Sequence, residues 1–95
     1  MPIHVVALLK VQEGRAEAAG DALRKLAEAS RREDGCLSYE LFVSRLDPLT
    51  FATVELWESQ AAMEAHSSGP HPAEALKAAG HLLAAPPEIH PLTRI

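Results

Sequence analysis

Residues 36–58 read CLSYELFVSRLDPLTFATVELWE, and the two alternating runs on either side of Asp47-Pro48 decide the class of fold. In the first run Leu37, Tyr39, Leu41 and Val43 fall on one side, with Ser38, Glu40, Phe42 and Ser44 on the other. In the second, Phe51, Thr53, Glu55 and Trp57 alternate with Ala52, Val54 and Leu56. A period of two is that of strands, and Asp-Pro is turn chemistry, so the stretch predicts a hairpin. The alternation leaves open which face looks into the molecule.

Upstream, Asp34-Gly35 is a turn signal. From Arg15 to Arg32 the residues Ala16, Ala19, Leu23, Leu26 and Ala27 recur at helical spacing, with charges opposite. Arg31 and Arg32 lie where cations suit the helix dipole. Before Gly14, the run Ile3–Val11 (IHVVALLKV) is apolar at nearly every position, which suits a central strand covered on both faces.

Downstream, Ser59 is placed to cap a helix reaching His66, with Ala62, Met63 and His66 on one face. Ser67-Ser68-Gly69-Pro70 interrupts it, a second helical piece spans Pro72 to Ala79 with Gly80 as its stop, and His81 to Ala85 offers one more turn. After Pro86-Pro87, the segment Glu88–Ile95 contains Pro91, which cannot donate to a ladder and so marks an edge or exchanged strand.

The predicted order is β-α-β-β-α-β, the α+β pattern of a ferredoxin-like unit: an antiparallel sheet with helices on one face. Residues 1–95 are read as one such domain. The sheet's other face stays uncovered, and an open apolar face predicts a homodimer packed sheet to sheet.

With 95 residues, 47% of them hydrophobic and four aromatic (Tyr39, Phe42, Phe51, Trp57), the core must be built mainly from aliphatic side chains. A net charge of −4 without a Lys/Arg run argues against a nucleic-acid partner. The sequence has neither a leader pattern nor an 18-residue apolar stretch, so a soluble cytoplasmic protein with no membrane partner is expected. The single Cys36 excludes an intramolecular disulfide.

The stretch Glu33-Asp34-Gly35-Cys36-Leu37-Ser38-Tyr39-Glu40-Leu41-Phe42, then Phe51 through Ser59, then Ala62-Met63-Glu64-Ala65-His66, resembles the antibiotic biosynthesis monooxygenase family. The parts that carry the resemblance are the Gly-Cys turn, the E-x-W-E-S end of the third strand, the A-x-x-x-H of the following helix and the late Pro-Pro. The resemblance implies a dimeric α+β barrel in which each subunit holds a pocket between sheet and helices. The family includes oxygenases of polycyclic phenols, quinol oxidases, haem-degrading enzymes and an isomerase, so membership does not fix the reaction. Trp57 matches the family's strand-three Trp and His66 its helix His. Haem-degrading relatives also use a first-strand Asn, whereas this chain has no Asn and carries His4 near that place.

The resulting expectation is an oxygenase that needs no bound cofactor and acts with O₂ on an aromatic quinol or polycyclic phenol. His66 is the candidate for the proton or oxyanion role. Trp57 offers a flat wall and an N–H, and Tyr39 a phenol to orient the ring. His4 is expected to give a supporting hydrogen bond, and Phe42, Glu55 and Met63 to contact substrate. Each has a plainer explanation as a packed or solvent-facing residue; a ring-binding dimer without turnover is the rival reading, and an isomerase or haem-degrading enzyme on the same fold is the third. No H-E-x-x-H, Gly-rich strand-turn-helix or P-loop is present, so no metal or nucleotide is implied.

Overall fold

The computed structural model describes residues 1–95. Strands β1 (Ile3–Lys10), β2 (Cys36–Val43), β3 (Thr50–Trp57) and β4 (Glu88–Leu92) form one antiparallel sheet in the order β2-β3-β1-β4. Helix α1 (Ala16–Arg31) joins β1 to β2, while α2 (Gln60–Ser67), α3 (Pro70–Ala79) and a short 3₁₀ turn (Gly80–Leu82) join β3 to β4. This is the ferredoxin-like α+β arrangement that the hydrophobic periodicities predict.

The register assigns the faces. Val5, Ala7, Tyr39, Phe51, Thr53, Glu55 and Trp57 are buried under the helices. Helix α1 meets them with Ala19, Leu23 and Ala27, as its 3.6-residue period requires. The core forms two clusters, one of Val11, Ala19, Leu23, Phe51, Ala79 and Leu82, the other of Val5, Ala27, Tyr39 and Trp57. Between them the packing leaves the space described below. The opposite sheet face carries Val6, Leu8, Phe42, Ala52, Val54, Leu56 and Leu92 with no layer over it. Phe42, Val54 and Leu92 are 50%, 43% and 44% exposed, so this face is both apolar and open.

Leu37 departs from the expected alternation. A bulge between Cys36 and Ser38 sets those two residues against Trp57 and Leu56, which are adjacent, so Leu37 is the extra residue and lies exposed. From Tyr39 onward the alternation holds.

Three local devices fix the positions of the helices. Gly35 adopts φ +84° in the turn between α1 and β2, and a Cβ there would lie 2.5 Å from the Cβ of Ala62 on α2. The glycine therefore lets α2 settle directly on the turn. Ser59 caps α2 by accepting from the Ala62 N–H at 3.1 Å, as its position predicts. At the same C-terminal end of α1, Arg31 Nε donates to the Tyr39 carbonyl at 2.8 Å, fastening the helix to β2. Helix α3 begins at Pro70, two residues earlier than expected, because proline is well suited to the first helical turn. It ends at Ala79 with Gly80 as its C-cap, as expected, and Gly80, at ordinary helical angles, opens the 3₁₀ turn that follows.

Candidate active site

A cavity of about 240 Å³ lies between the inner sheet face and the helices. Its floor is Val5, Ala7, Tyr39, Thr53 and Glu55, its walls include Leu23 and Leu26 of α1 and Met63 and His66 of α2, and α3 roofs it through Pro72, Ala75, Leu76 and Ala79. Ile89 and Pro91 of β4 stand at its edge, and the exposure of Ile89 and Leu76 marks where it opens. The lining is mainly apolar with a few converging polar groups, the usual make-up of a small-molecule site.

The polar groups form a connected frame. Glu55 is 5% exposed, and its carboxylate accepts from Thr53 Oγ1 at 2.7 Å through one oxygen and from Trp57 Nε1 at 3.0 Å through the other. A buried carboxylate demands such donors. Trp57, wholly buried, then stacks on His66 at 4.5 Å between ring centroids and 29° between planes. Tyr39 stands edge-on to both rings, 6.4 Å from Trp57 and 5.7 Å from His66. Burial, reinforced by the Glu55 carboxylate, pushes the Tyr39 phenol well above its ordinary range, so it stays protonated.

On its other side, His66 Nδ1 lies 2.9 Å from Glu33 Oε2, and His71 Nδ1 meets the same oxygen at 2.7 Å. Burial raises the Glu33 pKa, but the hydrogen bonds from His71 and His66 outweigh it and hold the carboxyl below its ordinary value.

Of the residues singled out from sequence, Tyr39, Glu55, Met63 and His66 line the cavity. His4 and Phe42 do not. His4 pairs in register with Leu56 and Leu92, and Phe42 with Ala52, so strand alternation turns both to the open sheet face. Trp57 is also corrected in place: it lies behind His66 and Glu55, in van der Waals support of the wall, and is not part of the lining. Glu33 and His71 were missed as partners of His66. Glu33 opens the E-D-G-C turn, and the close approach that Gly35 allows there could have signalled its proximity to α2.

The model of the family described as antibiotic biosynthesis monooxygenase matches residues 2–78, and the chain belongs to that family. An uncharacterised protein of Synechocystis is 32% identical over 88 residues, 93% of this chain, and this chain spans 60% of that relative's length. The Bacillus subtilis protein named "Putative monooxygenase YcnE" is 30% identical over 87 residues, 92% of each chain. A Pseudomonas aeruginosa protein of known crystal structure superposes with a TM-score of 0.89 at 34% identity, covering 99% of this chain and 94% of its own. No helix here is long and apolar enough to cross a membrane.

Proposed function

We propose that this chain is a monooxygenase that oxidises a one- or two-ring phenol or quinol with O₂ and needs no bound cofactor. The observation that carries the reading is a buried imidazole, His66, at the wall of an apolar cavity, engaged by a carboxylate through one nitrogen. Such a base can take the hydroxyl proton of a bound ring. The resulting electron-rich anion reduces O₂ itself. For a phenol with a free ring position, one oxygen atom enters the ring and the other leaves as water; all four electrons that O₂ takes up come from the substrate, which ends as a quinone. A water-poor pocket favours this route because it protects the reactive intermediate.

Cavity volume narrows the substrate class. An apolar cavity of about 150 Å³ holds one benzene ring, so 240 Å³ suits one ring or two fused rings better than a four-ring phenol. Oxygen uptake should therefore exceed autoxidation with one- and two-ring quinols and fall to background with a four-ring phenol. A ring that binds without oxygen uptake would make the protein a binding dimer instead.

The same reading includes a homodimer, formed by a second copy across the open sheet face. That face joins apolar residues of all four strands except for polar positions such as Glu40, His4 and His90. Sheets pack face to face at about 10 Å, and a second copy would cover the exposed Phe42, Val54 and Leu92. Sedimentation equilibrium should give twice the 10.2 kDa chain mass, and Val54→Asp should shift it toward the monomer. A monomeric wild-type protein at micromolar concentration would exclude this arrangement.

A further inference from the structure

Glu33 follows the end of α1 at the turn into β2, within reach of both helices beyond β3. Its single oxygen Oε2 receives Nδ1 of His66 from α2 and Nδ1 of His71 from α3. An ionised carboxylate only accepts hydrogen bonds, so each imidazole must present its hydrogen on Nδ1. A neutral imidazole carries one ring hydrogen, which leaves Nε2 bare. The surroundings hold this arrangement: the side chains of His66 and Glu33 are 8% and 20% exposed, and the stack on Trp57 limits rotation of the His66 ring.

We propose that Glu33 is a positioning residue that, braced by His71, locks His66 in its Nδ1–H tautomer and leaves the bare Nε2 for the cavity. The catalytic consequence rests on His66 being the base, whereas the tautomer rests on the hydrogen bonds alone. In the proton transfer, the O–H bond of the substrate breaks and an N–H bond forms at Nε2. The imidazolium keeps its Nδ1–H on the Glu33 carboxylate, which stabilises the new charge without accepting the proton. Because His71 is 34% exposed and does not line the cavity, its part is to hold the carboxylate from the other side.

Long-range ¹H–¹⁵N correlation spectra of the full chain, labelled at histidine and recorded near neutral pH without substrate, read the tautomer directly. The wild-type protein should show a protonated Nδ1 and a bare, pyridine-like Nε2 at His66. In Glu33→Ala the hydrogen should move to Nε2, with kcat reduced roughly tenfold or more and KM little altered. An Nε2–H tautomer at His66 in the wild type, or an unchanged Nδ1–H tautomer in Glu33→Ala, overturns the proposal. If Glu33→Ala does not fold, the wild-type spectrum still decides. Absence of oxygen uptake alongside the expected spectra would remove the monooxygenase reading and leave the role of Glu33 intact.

Discussion

Replacing His66 with Ala should lower quinol-dependent oxygen uptake by about 10²–10⁴-fold, the contribution of a positioned general base, while far-UV circular dichroism still shows a folded chain. The size of the effect follows from the absence of a substitute at the cavity. Tyr39 lines it, but burial and the Glu55 carboxylate keep the phenol protonated, so it serves as a donor and not as a base. Each Glu55 oxygen already accepts a hydrogen bond, from Thr53 or from Trp57. Glu33 is held below its ordinary pKa, and its Oε2 receives two imidazoles, so its proton affinity is low. His71 does not line the cavity. Tyr39→Phe, which removes a donor and leaves the base in place, should cost turnover less than His66→Ala. Wild-type turnover in His66→Ala would take this side chain out of the mechanism.

The division between what the sequence discloses and what it hides follows from the range of the interactions. The strand and helix periods are local, so the hairpin, the amphipathic α1 and the Ser59 cap are legible in CLSYELFV, FATVELWE and the residues around them. Glu55 and Trp57, two residues apart on one strand face by the period of two, share one hydrogen bond. The sidedness of each strand is a global property. His4 sits in a strand apolar on both sides, and only pairing with β3 and β4 turns it to the open face. Leu37 was misplaced because a bulge inserts one residue without a compositional mark. Glu33, His66 and His71 are separated by 33 and 38 residues along the chain, so no spacing rule could join them. Their meeting depends on α1 and α2 ending and α3 beginning at one corner, where the missing side chain at Gly35 admits α2.

Trp57→Ala should destabilise the fold by about 3–5 kcal/mol, in the range for deleting a large buried aromatic. Three losses combine there. The side chain is wholly buried among Val5, Ala27 and Tyr39, so truncation leaves a void that these residues cannot close without moving strands. The stack on His66 disappears. The Glu55 oxygen that accepted from Nε1 at 3.0 Å is left unpaired in a buried setting, a loss of about 1–3 kcal/mol by itself. Against a total stability of about 5–15 kcal/mol, this is a large share, and at roughly 4–8 °C per kcal/mol for a chain of this size the melting temperature should fall by more than 10 °C. Because Trp57 is the only tryptophan, unfolding must be followed by far-UV circular dichroism, at one protein concentration so that subunit association does not confound the comparison. Trp57→Phe separates the terms: it keeps most of the ring and the support behind His66 but removes the N–H. Its cost should therefore stay near the hydrogen-bond share alone, and its turnover should exceed that of His66→Ala by at least tenfold. A loss below about 1 kcal/mol in Trp57→Ala would mean that the Glu55–Trp57–His66 frame is not what holds the imidazole at the cavity wall, and the geometry required of the base would have to come from Glu33 and His71 alone.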